Sequence, residues 1–150
     1  MRPPIASIAL TAMIALPFSA QAQFAKVEDA VKYRQSALSV MGTHMGRVGA
    51  VVKGERPYDK AAVEADVAVI ETMSKLPWSA FVPGSDLPNS KAKPAIWKEQ
   101  DKFKAGAEKM QQEVAKLSTA AKSGDLNAVK SAFGGVGQAC KACHDDYRNK

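Results

Sequence analysis

Beyond its first 22 residues this sequence has no uninterrupted run of about 18 apolar residues, the length at which a membrane-spanning helix becomes credible. A helical anchor in that region is thereby excluded. Alternating β-branched residues between hairpin turns are missing as well, which excludes a sheet. No internal repeat or low-complexity tract breaks the chain. Basic residues exceed acidic ones, 21 against 15, but the lysines (Lys53, Lys75, Lys98, Lys102, Lys104, Lys109) are scattered among acids with no interleaved aromatics. That pattern carries no nucleic-acid footprint and reads as solvated helix faces, with weak attraction to an acidic redox partner as the lesser alternative. Histidine is scarce, with His44 and His144 alone, and so is cysteine, with only Cys140 and Cys143.

Both cysteines fall in one pentapeptide near the C-terminus, Cys140-Lys141-Ala142-Cys143-His144. Two thiols spaced C-x-x-C with an immediate histidine form the attachment signature of a c-type haem. Each thiol can add across one vinyl group of the porphyrin, and the adjacent imidazole reaches the iron. A metal or redox C-x-x-C domain without haem is the competing reading. The following histidine and the helical pattern around it, in place of a βαβ pattern, argue against that.

The N-terminus supports the haem reading. Arg2, the apolar stretch from Ile5 to Phe18 and the sequence Ala20-Gln21-Ala22 read as a secretory signal peptide, residues 1–22, with cleavage before Gln23. Bacterial c-type haem is attached outside the cytoplasm, so signal and motif agree, and the expected location is the periplasm. Residues 23–150 are the right length for one soluble domain.

Four helical segments fill that domain. Val27, Val31, Arg34, Leu38, Met41, Met45, Val48 and Val52 recur at helical spacing up to Gly54 and Pro57. Asp59 is a good N-cap for a second helix reaching Leu76, stopped by Pro77. Residues 78–94, rich in Pro with Gly84, Ser85 and Asn89, form the long connection. A third helix carries Ile96, Phe103, Ala107, Met110, Val114, Leu117 and Ala121. Gly124-Asp125 pairs a C-cap with an N-cap, and a fourth helix returns with Leu126, Val129, Phe133, Val136, Cys140, Cys143 and Tyr147. The expected fold is all-α: an antiparallel up-down-up-down four-helix bundle with covalently attached haem. Cys140, Cys143 and His144 stand at i, i+3 and i+4, so one helix face supplies both links and the axial ligand.

Further candidates follow from burial chemistry. Arg34 is the one charged member of the first apolar stripe, and a buried guanidinium demands an anion. A haem propionate is the natural partner, with Gln35 as a second donor; a snorkelling Arg34 with its head in water is the plainer alternative. Leu38, one turn on, would face the distal side of the ring and leave the sixth position apolar. Met41 and Met45 lie one and two turns away and read as core filler. His44 points elsewhere, to a surface or an interface. Trp78, Phe81 and Phe103 could wall the haem. Lys91 and Lys93 could neutralise a propionate, or be solvated. Arg148 could sit over the imidazole or pair with Asp145. Gly134, Gly135 and Gly137 permit a bend, a close approach to the porphyrin or a loose helix start.

These features resemble cytochrome c′, the class II c-type cytochromes, over the whole of residues 23–150. The likeness rests on Ala132-Phe133-Gly134 through Cys140-Lys141-Ala142-Cys143-His144-Asp145-Asp146-Tyr147-Arg148, on Tyr33 to Leu38, and on Leu76 to Phe81. In class-I-like cytochromes the motif lies near the N-terminus with a methionine ligand downstream; here six residues follow His144 and none is Met. The resemblance implies a periplasmic homodimer with one haem c per chain and five-coordinate iron, held by His144 alone. It implies thioether links at Cys140 and Cys143, propionate contacts at Arg34 and Gln35, distal shielding by Leu38 and a proximal place for Arg148. The Lys93 contact matches the family less tightly. Binding of nitric oxide and carbon monoxide is the function implied, with buffering or detoxification of nitric oxide as its use. Electron transfer among periplasmic redox proteins is the alternative, and an enzymatic role finds no acid–base pair to support it.

Overall fold

The computed structural model describes residues 23–150; the signal-peptide reading of residues 1–22 lies outside the described residues. The chain forms α1 (Val27–Val52), α2 (Lys60–Met73), a 3-10 turn (Pro77–Ala80), the one-turn α3 (Ala95–Lys98), α4 (Gln100–Ser123) and α5 (Leu126–Tyr147). Among the described residues the sole extended pairing is an isolated bridge between Ala92 and Arg148. The fold is an all-α four-helix bundle. α1 packs on α2, α2 on α4 and α4 on α5, and α5 closes the ring loosely against α1. No helix among the described residues is long and apolar enough to cross a membrane.

Helical spacing of apolar residues drives this arrangement. Val48 from α1, Val67 and Ile70 from α2, Val114 and Leu117 from α4, and Val129 and Val136 from α5 converge with essentially no exposure. Burying each such aliphatic side chain is worth about 1.5–3 kcal/mol. The ends are set locally. The Asp59 carboxylate accepts from the Ala62 amide at 3.2 Å, and the Asp125 carboxylate accepts from the Asn127 amide at 2.8 Å. Gly124, at φ 78°, closes α4 in the left-handed region.

Two boundaries differ from the sequence expectation. α2 ends at Met73, three residues before Leu76, and the chain tightens into a 3-10 turn that opens on Pro77. The expected third helix is broken at Glu99, whose backbone (φ −123°, ψ 45°) leaves the helical region and separates α3 from α4.

One asymmetry positions the site. At one end α1 and α5 touch: the Phe133 ring lies 3.2 Å from where a Cβ on Gly49 would stand. At the other end Arg34 to Met45 of α1 and Gly137 to Arg148 of α5 face each other across a cavity. The two helices therefore run antiparallel and splay. A second cluster (Trp78, Phe81, Ile96, Trp97, Phe103 and Tyr147) plugs the bundle beside that opening. Phe103 stands edge-on to Phe81 and Tyr147 at centroid distances of 4.8 and 5.3 Å.

Candidate functional site

The splayed end encloses a cavity of about 600 Å³, within the range typical of cofactor and ligand pockets, about 300–1,000 Å³. α5 contributes Cys140, Cys143 and His144, all of which line it. The opposite wall is Leu38, Met41, Gly42 and Met45 of α1, and Phe103 and Met110 of α4 close the floor. Arg34, Gln35, Lys91 and Arg148 also line it and supply its polar groups. An apolar slot with two thiols and an imidazole on one wall and cations among its edges suits a flat, apolar macrocycle bearing carboxylates.

Electrostatics agree with that use. Burial pushes both thiols above their ordinary value. A redox-active C-x-x-C site works by the opposite shift, toward thiolate, so the non-haem redox reading loses support. Burial also holds the His144 imidazole below its ordinary value, with the Arg148 cation adding to the effect and Asp145 opposing it. A neutral imidazole is the form that ligates a metal. Among the described residues no three His, Cys, Asp or Glu side chains gather to hold a metal ion unaided.

The sequence model of the family described as Cytochrome C′ matches residues 29–148. Cytochrome c′ of Alcaligenes xylosoxydans xylosoxydans is 53% identical over 128 residues, covering 85% of this chain and 99% of that protein. The chain belongs to the cytochrome c′ family. Solved cytochromes c′ share its fold. A leucine-to-alanine variant from Alcaligenes xylosoxidans in complex with nitric oxide superposes with a TM-score of 0.81 at 52% identity, over 85% of this chain and 99% of that one. A leucine-to-glycine variant from the same organism with bound carbon monoxide gives the same TM-score and identity, over 85% of this chain and 100% of that one. Membership in the cytochrome c′ family implies a c-type haem, and the thiols, imidazole and apolar walls of the cavity fit one.

Not every cytochrome c′ residue expected from the sequence is free for the cofactor. Arg34 is buried, 1% exposed, and its guanidinium is largely engaged. Nη1 donates to the Ala80 carbonyl at 2.9 Å and to Ser85 Oγ at 2.5 Å, and Nη2 donates to the Ser85 carbonyl at 2.5 Å. The demand for an acceptor is thus met in large part by the long connection. Of the five guanidinium N–H groups, these bonds leave Nε–H and one on Nη2 for a propionate. Gln35 Nε2 likewise donates to the Asn89 carbonyl at 2.8 Å. Leu38 lines the cavity, and Met41 and Met45, expected as core filler, line it too.

Lys93 does not line this cavity but a neighbouring recess, which it shares with His144, Asp145 and Arg148. Its Nζ donates to the Asp145 carbonyl at 2.7 Å, and Lys91 lines the cavity instead. Arg148 lines the cavity with His144, while Asp145 pairs with Lys141 rather than with Arg148. His44 turns to α2, where Nδ1 meets the Asp66 carboxylate at 2.6 Å. α5 runs unbroken through Gly134, Gly135 and Gly137. Gly135 does permit a close approach, but by Glu113 Oε2, which lies 2.6 Å from where a Cβ would stand. Ser85, which anchors Arg34, gave no signal in the sequence; a serine in a loop has no period to betray it.

Proposed function

We propose that this chain is a periplasmic, non-catalytic c-type haem protein whose five-coordinate iron binds nitric oxide and carbon monoxide. Buffering or detoxifying nitric oxide is its role. The observation that carries the reading is the asymmetry of the cavity: the α5 wall offers His144, while the α1 wall opposite offers Leu38, one turn from Arg34, with the Met41 and Met45 thioethers farther along the helix. The nitric oxide and carbon monoxide complexes of solved relatives support it. In this reading Cys140 and Cys143 hold the cofactor covalently, His144 is the axial ligand, and the remaining N–H groups of Arg34, with Gln35, meet a propionate. The haem supplies an iron with one open coordination position. Leu38 excludes water and offers no hydrogen bond, so an uncharged diatomic is admitted while anions gain nothing by entering. Arg148 stands beside the imidazole. Export rests on the leader, residues 1–22, and assembly as a homodimer rests on family resemblance.

A second reading has one observation in its favour. Met41 and Met45 line the same cavity, and a thioether on the iron would make an electron carrier. Optical and paramagnetic spectra of the haem-loaded protein separate the two. High-spin ferric iron and a spectrum that shifts on adding nitric oxide are expected. A low-spin ferrous spectrum with methionine ligation, unmoved by nitric oxide, would sink the gas-binding proposal and favour electron transfer.

A further inference from the structure

The C-terminal end of α5 is capped by a distant segment. A helix leaves its last four carbonyls without intrahelical partners, and here residues 91–93 supply partners for two of them. The Lys93 amide donates to the Tyr147 carbonyl at 2.9 Å, and the Lys93 ammonium donates to the Asp145 carbonyl at 2.7 Å. In a continuing helix the Asp145 carbonyl would take the Asn149 amide. That amide donates instead to the Lys91 carbonyl at 2.8 Å. Ala92 and Arg148 complete the antiparallel bridge. Lys91 adopts φ 54° to make this turn, and it is the one non-glycine residue at positive φ among those described. Such a conformation is costly for a side chain with a Cβ and persists where surrounding contacts over-determine it.

The clasp closes on the turn that carries His144. The Arg148 amide donates to the His144 carbonyl at 3.1 Å in the last helical bond of α5, and the very next amide is the one held by Lys91. The other side of the connection is tied to α1, through Arg34 on Ser85 and Gln35 on Asn89. Residues 85–93 are therefore a strap that joins the α1 wall of the cavity to the end of the haem helix.

We infer that Lys93 is a positioning residue for His144. By capping α5 with both its amide and its ammonium, it fixes the last turn, and so fixes the imidazole it presents to the iron and the Arg148 side chain beside it. Lysine at a helix C-terminus suits the task twice, as a donor and as a positive charge against the negative end of the helix dipole. Removing the ammonium leaves the Asp145 carbonyl short of a partner and loosens the clasp. The inference rests on His144 being the axial ligand, but part of its test does not.

The experiment compares wild-type holoprotein with Lys93→Met and Lys93→Arg. Amide exchange of Asn149 and Lys93 reads the clasp, and the iron–histidine stretching band of the ferrous protein reads the imidazole. Lys93→Met should speed Asn149 exchange on the order of tenfold, the loss of one charge-assisted hydrogen bond, and should shift or broaden the iron–histidine band. Lys93→Arg should restore both. Faster exchange with an unmoved band would overturn the inference and leave Lys93 as a mere fold contact. Unchanged exchange would overturn it too. A wild-type protein with no iron–histidine band would overturn the axial-ligand reading itself, an outcome that the exchange data keep distinct.

Discussion

Arg34 lies inside the protein with its guanidinium carbon 4.4 Å from the centre of the Phe81 ring and three hydrogen bonds to Ala80 and Ser85. Burial pulls its pKa below the ordinary value while Asp86 opposes the shift, yet guanidinium stays charged in proteins. The charge is tolerated because carbonyl oxygens 46 and 51 residues away replace its water. Arg34→Met would strand those buried acceptors, and each stranded polar group costs about 1–3 kcal/mol. We expect a loss of about 2–4 kcal/mol in urea unfolding of the holoprotein, with faster tryptic cleavage after Lys91. A variant that lost only haem contacts would keep its connection intact. The apolar stripe made Arg34 legible in the sequence as a buried charge. Its partners were not, since contacts spanning 46 and 51 residues leave no period to read. Leu38 has the opposite character: a cavity wall with no polar function. If it guards the open side of the iron, Leu38→Ala should speed carbon monoxide association about tenfold, equivalent to a barrier lowered by about 1.4 kcal/mol. Unchanged association in flash photolysis would remove Leu38 from the gate.

The seam between α4 and α5 turns on a carboxylate against a glycine. Glu113 on α4 is 11% exposed, accepts from Lys109 at 2.7 Å and Lys116 at 2.9 Å, and presses its other oxygen onto Gly135. Alanine at 135 would gain about 1 kcal/mol in helix propensity, but its Cβ would fall 2.6 Å from Glu113 Oε2. Overpacking of that kind costs about 1–3 kcal/mol, so Gly135→Ala should be neutral to destabilising in thermal unfolding, and Gly135→Ala with Glu113→Ala should recover stability. The two lysines hold the Glu113 carboxyl below its ordinary value of 4.5. A folded pKa below the unfolded one stabilises the fold above pH 4.5, and the contribution drains away as pH falls through the folded value. Glu113→Gln should therefore flatten the acid limb of the stability curve and leave its alkaline limb alone. Element existence was legible because four apolar stripes at helical spacing bury themselves, and the caps at Asp59, Gly124 and Asp125 stand where their chemistry belongs. The break at Glu99 was hidden, as neither proline nor glycine marks it. What holds the chain there is tertiary: the Tyr147 hydroxyl donates to Glu99 Oε2 at 3.3 Å, and Trp97 Nε1 donates to the Val82 carbonyl at 3.0 Å.

The molecule as a whole divides into a closed end and an open one. Where Phe133 meets Gly49, the core of Val48, Ile70, Val114, Leu117 and Val129 is sealed by side chains from all four long helices. Where α1 and α5 splay, Leu38, Met41, Met45, Phe103 and Met110 face a cavity of about 600 Å³, too large for the protein's own packing to fill. The fold therefore relies on its cofactor at one end only. A ligand that binds the native state alone stabilises what it touches, and a hundredfold excess over its dissociation constant is worth about 2.7 kcal/mol. On the proposed reading the haem is held covalently, and a group so held acts at far higher effective concentration. If Cys140 and Cys143 carry the haem, Cys140→Ser with Cys143→Ser prevents attachment and tests the division by amide exchange. Residues 34–45 and 137–148 should lose protection by a hundredfold or more, while Ile70, Leu117 and Val129 stay close to the global limit. The strap at residues 85–93, tied to both walls, should loosen along with them. Uniform loss of protection along all four helices would instead mean that the closed end has no stability of its own and that the haem organises the entire bundle.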